Sequence, residues 1–233
     1  MISANALLII CLFLSSNLRV NKFKNKITKK YEENKEQDSL DVYNKLTSIH
    51  PEIKIKERLI EIYKFTSYDA SIYSSIILKS SERFDVEWEK ITAKMKVESN
   101  FDPFIKSKLT RILKNEDLQR AYGLLQLKPK TAIECAKELN IDWNGIPTLY
   151  NPEINTLLGT YYFSKMEIPF KRNFEKAEKS YNVGLYGFYK GFASEKHWLK
   201  VSREYKKLKG LDFSIEEKKL KKIKEEKIQL SER

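Results

Sequence analysis

The chain has 233 residues, of which 41% are hydrophobic and 12% aromatic, enough to bury a core and to exclude a disordered chain. Its 7 Gly and 6 Pro are too few for a strand-and-turn sandwich, and its 2 Cys and 2 His exclude a disulfide framework, a cysteine-based zinc site and an HExxH metal motif. The net charge of +12 points to an anionic partner: nucleic acid, anionic lipid or a cell-wall polymer.

Residues 2–16 (ISANALLIICLFLSS) carry no charge and are mostly apolar. They are short for a membrane span and suit the apolar region of a signal peptide with cleavage after Ser16, or an anchor. Arg19, Lys22, Lys24 and Lys26 follow the run rather than precede it, the opposite of the usual signal-peptide order. Export is expected. Residues 17–67 read as a polar, charged tether over 21–38 followed by two amphipathic helices over 39–66.

From residue 68 to 205 the pattern is regularly helical. Asp69 is expected to cap a helix with Ile72, Ile76 and Ile77 on its apolar face, and Asp85 to cap another ending near Asn100. A charged, irregular stretch over 105–120 follows. Pro129 opens a helix with Ala132, Ala136 and Leu139 on one side. Asn151-Pro152 is a cap followed by a first-turn proline, and that helix carries Ile154, Leu158 and Tyr161. A short helix is expected over 174–182. Ser194 starts another, with Trp198, Val201, Tyr205 and Leu208 on one stripe and Gly210 as its stop. Over 206–233, Ser214-Ile215-Glu216-Glu217 reads as a capping box opening a charged helix to about Gln229. That tail holds ten Lys or Arg against six Asp or Glu. The fold class is all-α.

Glu98 breaks the pattern. Trp88, Ile91 and Met95 form a stripe spaced three and then four, and the next position on it is Glu98. A lone carboxylate in an apolar wall raises its pKa and stays protonated, which is the property of a glycosidase general acid. The plainer reading is a helix-end glutamate reaching solvent.

Further segments decide between these readings by their order. Glu98-Ser99-Asn100-Phe101-Asp102-Pro103 is followed by Ser107, then Gly123-Leu124-Leu125-Gln126, then Pro129-Lys130-Thr131-Ala132. Asn151-Pro152-Glu153-Ile154-Asn155, Gly159-Thr160-Tyr161-Tyr162 and Ser180-Tyr181-Asn182-Val183-Gly184 complete the set. This series resembles the soluble lytic transglycosylases, whose catalytic domain is lysozyme-like, of the goose type. The chain departs from the family pattern in a longer stretch between Ser107 and Ala121, holding Lys108, Arg111 and Lys114. Arg120 stands where Gly is common, Leu125 where Met is, and Asn151 where Asp is.

The resemblance implies cleavage of the β-1,4 bond between N-acetylmuramic acid and N-acetylglucosamine in peptidoglycan, with 1,6-anhydro ends. It implies Glu98 as the catalytic acid and Ser107, Gln126, Tyr162, Tyr181 and Asn182 as substrate-binding residues. Ser107 and Tyr181 would orient the carboxyl or the N-acetyl group, and Met95, Phe101 and Leu124 would supply the apolar wall. No metal or cofactor is implied. The expected partner is the glycan strand, reached from the periplasm or from a membrane anchor at the N-terminus, by a monomer that binds no nucleic acid. At a motif position the sequence offers no second carboxylate, Asp102 being the nearest. A hydrolytic lysozyme on the same fold and a non-catalytic wall-binding protein are the alternatives.

Overall fold

The computed structural model describes residues 42–109, apart from 44, 48 and 49, and residues 116–231. The apolar run at 2–16, the tether at 21–38, and Arg111 and Lys114 lie outside the described residues. Among the described residues the regular elements are all helical, with isolated β-bridges in the connections. None of these helices is long and apolar enough to cross a membrane. The chain divides into two compact units, one up to Ser75 and one from Ile76 onward.

In the first unit, α1 (Pro51–Tyr63) opens on its proline and buries Ile55 and Leu59. It stops at Lys64, which is left-handed at φ 59°. Helix α2 (Ser67–Phe84) begins in the first unit and ends in the second, and it starts one turn before the expected cap. Thr66 does the capping, taking the Asp69 N–H at 3.0 Å and donating its own hydroxyl to the Asp69 carboxylate at 2.7 Å. Asp69 is therefore the third residue of the helix, where a carboxylate faces the positive end of the dipole. Of the expected apolar face, Ile76 and Ile77 are buried and Ile72 is exposed.

In the second unit, α3 (Trp88–Glu98) is not capped by Asp85. Asp85 takes a left-handed φ of 51° and its carboxylate is drawn 2.6 Å from Arg172, so the turn after α2 uses the residue expected to begin α3. The short α4 (Glu116–Gln119) precedes α5 (Pro129–Glu138). Helix α6 (Pro152–Glu167) is capped as expected: the Asn151 side chain accepts from Glu153 and Ile154 N–H at 3.0 and 3.1 Å. Helix α7 (Phe174–Tyr189) runs past the expected end at 182. It breaks at Gly184, whose φ of 74° and ψ of 161° suit glycine. Ser194 and Gly210 bound α8 (Glu195–Lys209) as expected. Helix α9 (Ser214–Ser231) is started by Asp212, which accepts from the Ser214 N–H and hydroxyl. Ser214 is thus already inside the helix, and Glu216 is turned to Ser202 and Lys206 instead of closing a box.

Helix α8 packs on α3, α7 and α9, α6 packs on α7 and α5, and the core between them holds Ile91, Met95, Leu124, Leu158, Phe163, Ala177 and Val201. One tight turn is fixed to this frame. Tyr122 and Leu127 exchange backbone hydrogen bonds at 2.9 and 3.1 Å around Gly123-Leu124-Leu125-Gln126. Fully buried Asn155 of α6 holds that turn with its whole amide. Its oxygen accepts from Leu125 N–H at 2.8 Å, and its nitrogen donates to the carbonyls of Tyr122 and Leu149 at 2.9 Å each. Gly123 has no room for a side chain: a Cβ would lie 2.2 Å from the Leu149 carbonyl. Asn155→Ala takes its partner from the Leu125 N–H and the Leu149 carbonyl and one of two donors from the Tyr122 carbonyl, and should cost about 3 kcal/mol of stability, read by urea denaturation.

Candidate active site

Glu98 is the last residue of α3, with 13% of its side chain exposed. The chain leaves the helix in a compact reversal. Ser99 is buried, gives its hydroxyl to the Met95 carbonyl at 2.9 Å and accepts from Phe101 N–H at 3.1 Å. Asn100 and Phe101 are both left-handed, at φ 54° and 65°. That reversal buries Phe101 and fixes the helix end from which Glu98 projects.

The surroundings of Glu98 are not the apolar wall that the sequence suggests. His197 of α8 puts Nε2 at 3.4 Å from Glu98 Oε1 and at 3.2 Å from Glu178 Oε1. Glu178 of α7 is fully buried, and its other oxygen takes Lys94 Nζ of α3 at 2.7 Å. Lys94 also lies 3.4 Å from the centre of the Tyr181 ring. The result is a chain of alternating charge, Lys94–Glu178–His197–Glu98, joining three helices. Burial alone would push the Glu178 carboxyl up, but Lys94 and His197 outweigh it and hold it below its ordinary value. Burial works against a charged His197 ring, but hydrogen bonds and charge from Glu178 and Glu98 prevail and raise it to about 9. Glu98, Glu178 and His197 bring one ligand atom each within 4.8 Å of the others. Lys94 and the charged imidazole already balance the two carboxylates, so this donor set is poorly suited to a metal ion.

The other expected residues fall into two groups. Tyr181 and Tyr162 come together, with ring centres 5.1 Å apart, and Tyr181 is the one close enough to Glu98 to feel its charge. The buried Tyr181 phenol is raised well above its ordinary value by burial first and then by Glu98 and Glu178. Its O–H is committed to the Leu125 carbonyl at 2.7 Å, so it ties α7 to the turn instead of orienting the Glu98 carboxyl. Burial also raises Tyr162. Asn182, next along α7, is exposed. Ser107 and Gln126 belong to the turn. Ser107 Oγ accepts from Ala121 N–H at 2.9 Å, and Arg120 donates to the Ser107 carbonyl at 2.8 Å. Gln126 Nε2 donates to the Gly123 and Ile105 carbonyls at 2.9 and 3.3 Å. Among the described residues the hydrogen bonds of Ser107 and Gln126 run to backbone and not to Glu98. Met95, Phe101 and Leu124, expected to form an apolar wall, are buried in the interior.

The sequence reading missed His197, Glu178 and Lys94. Each sits on the apolar stripe of its helix: Lys94 between Ile91 and Met95, Glu178 between Ala177 and Tyr181, and His197 one turn before Val201. The signal was the same as for Glu98, a charge where the spacing wants a hydrophobe, repeated on helices that meet. A cavity of about 410 Å³ lined by Ser81, Asp85, Val86, Glu87, Lys90 and Arg172 lies at the opposite end of α3 and holds no motif residue.

The raised His197 makes stability fall with pH. The folded protein holds a proton that the unfolded chain releases at about 6.5, so this contribution is complete below that pH. It should be lost as pH rises through about 9, by roughly 3 kcal/mol. Denaturation midpoints measured from pH 6 to 10 should show this slope in the wild type, and His197→Gln should flatten it.

The family model of the transglycosylase SLT domain matches residues 75–201, more than half of the chain. Among solved structures, the chain is similar to the 70 kDa soluble lytic transglycosylase of Escherichia coli, with 20% identity, a TM-score of 0.47, and coverage of 60% of this chain and 25% of that one. It is also similar to an inactive mutant of lytic transglycosylase Slt from Pseudomonas aeruginosa, with 19% identity, a TM-score of 0.45, and coverage of 66% and 27%. A complex of a 70 kDa soluble lytic transglycosylase with bulgecin A gives 22% identity, a TM-score of 0.43, and coverage of 59% and 22%. The chain thus spans about a quarter of the length of these structures. No curated protein sequence matches it. With every motif residue from Glu98 to Asn182 inside the matched span, the chain belongs to the transglycosylase SLT domain family, with that family's lysozyme-like helical fold.

Proposed function

We propose that the protein is a lytic transglycosylase that cleaves the bond between N-acetylmuramic acid and N-acetylglucosamine in peptidoglycan and leaves 1,6-anhydro ends. The observation that carries this reading is the position of Glu98. It is a partly exposed carboxyl at the C-terminal end of α3, close enough to Tyr181 to act on its phenol, and Tyr181 is anchored to the Gly123–Gln126 turn. Glu98 would give its proton to the glycosidic oxygen as the bond to the muramic-acid C1 breaks. The substrate's own acetamide oxygen would bond to that carbon. The Glu98 carboxylate would then take the proton of the O6 hydroxyl, O6 would attack C1, and the acetamide would leave. The acid is restored and no water is consumed.

Hydrolysis through a protein nucleophile needs two reachable carboxyls, about 5 Å apart in a retaining enzyme. Glu178 comes within that separation, with oxygens of the two groups inside 4.8 Å. It is nevertheless fully buried and held on both oxygens, so it cannot meet a sugar carbon. Asp102 is exposed and accepts from Phe104 N–H of its own loop at 2.9 Å. The burial of Glu178 favours chemistry that uses the substrate's own groups. The uncharged run at 2–16 further supports export to the wall, and the net charge of +12 favours encounter with the carboxylates of peptide stems.

Purified wild-type protein should release, from sacculi, muropeptides lighter by one water than hydrolysed ones and resistant to borohydride. Digestion in heavy-oxygen water should add no label; label in most products would establish hydrolysis. Glu98→Gln should fold normally and retain less than about 1% of the activity, the loss expected when a general acid contributing some hundredfold is removed. A reporter active only outside the cytoplasm, fused after residue 30, should be active, and a stable but silent fusion would overturn export.

A further inference from the structure

We propose that His197, fixed by Glu178, is a positioning residue that holds Glu98 in its charged half-cycle, between the two proton transfers. The inference rests on the reading of Glu98 as the acid–base residue. Its ground is geometric. Glu98 ends one helix and His197 begins another, and a single ring nitrogen faces both Glu98 and Glu178 at 3.4 and 3.2 Å. Glu178 in turn cannot move, since it is fully buried and bonded to Lys94 at 2.7 Å. The two carboxylates share that one nitrogen, so Glu178 fixes the place of the charge that Glu98 faces.

The chemistry asks for such a group. Glu98 must be a neutral acid before cleavage and a carboxylate after it, and the carboxylate must persist until the O6 hydroxyl is in place. A cation at ion-pair distance stabilises that intermediate state without touching the sugar, and only a cation already fixed in place does so without reorganising. His197 meets this requirement because Glu178 throughout, and Glu98 once it has given up its proton, keep its ring charged at neutral pH. The charged and titratable groups around it are Glu98 and Lys94 from α3, and Glu178 and the Tyr181 phenol from α7. Lys179, also on α7, pairs with Glu175 and Glu195, and the Glu216 of α9 pairs with Lys206. These two sets are satisfied among themselves, so Glu98 and Glu178 are the groups that set the charge of the ring.

The chain has 2 histidines, His50 and His197, so imidazole proton resonances separate them with one His50→Gln spectrum as the assignment. In a pH titration by NMR, His197 should titrate above 8, and Glu98→Gln should lower its midpoint by about one unit. An unmoved midpoint would overturn the coupling. In the second arm, the alkaline limb of the pH–rate profile on peptidoglycan should move up by about one unit in His197→Gln, because the cation that favours the carboxylate is gone. The double variant Lys94→Met with Glu178→Gln, which removes the buried counter-charge of the imidazole without stranding Lys94, should move both the His197 midpoint and the limb in the same directions, and serves if His197→Gln does not fold. A variant that melts earlier but keeps the wild-type limb would reduce His197 to a structural ion pair and overturn the proposal. Failure of the wild type to cleave peptidoglycan would instead overturn the reading of Glu98, and with it the role of His197.

Discussion

The carboxylate of Glu178 has no exposed surface, and the architecture around the site follows from that. An isolated ion in a protein interior costs several kcal/mol, so Glu178 is tolerable only where Lys94 and His197 reach it together. Lys94 belongs to α3 and His197 to α8, while Glu178 sits on α7. The helices must therefore dock in one register, within the tolerance of a hydrogen bond, before the interior is electrically acceptable. Apolar packing among Met95, Ala177 and Val201 supplies the drive to assemble, but it would accept small slips that the ions do not.

A second fixed point is the amide of Asn155. Asn155 satisfies two backbone groups of the turn that carries Gln126 and ties it through a third bond to the Leu149 carbonyl, all from within α6. Tyr181 adds a bond from α7 to the same turn. The helix bearing Glu178 and the Gly123–Gln126 turn are thus one mechanical piece. Several residues that resemble substrate contacts in sequence have this internal work as well: Ser107, Gln126 and Tyr181 each bond to backbone in the free protein.

Much of the frame was legible in the sequence because its signals are local. Asn151-Pro152, Ser194 and Gly210 act within a turn of their own position, and they bound helices where expected. Glu98 stood out because one helix's spacing suffices to expose it. The misses came from partners far away in the chain. Asp85 looks like a cap until Arg172 draws its carboxylate outward, and Ser214 looks like one until Asp212, two residues earlier, takes the role. Glu178 and His197 each interrupt the apolar stripe of their own helix, but nothing near them in sequence reveals that α3 brings Lys94 and Glu98 to meet them. The expectation of an apolar surround for Glu98 failed for the same reason. An odd residue on one stripe invites a search of the stripes it will face.

Lys94 and Glu178 also constrain how this sequence can change over time. Loss of either charge alone strands the other in the interior, so single replacements are selected against even though neither group touches a sugar. Replacing both at once with hydrophobes removes the penalty and leaves a sound core, but it strips His197 of its buried counter-charge. Relatives of this chain are therefore expected to carry the two residues as a pair or lack them as a pair, and the identity of residue 197 should track that choice.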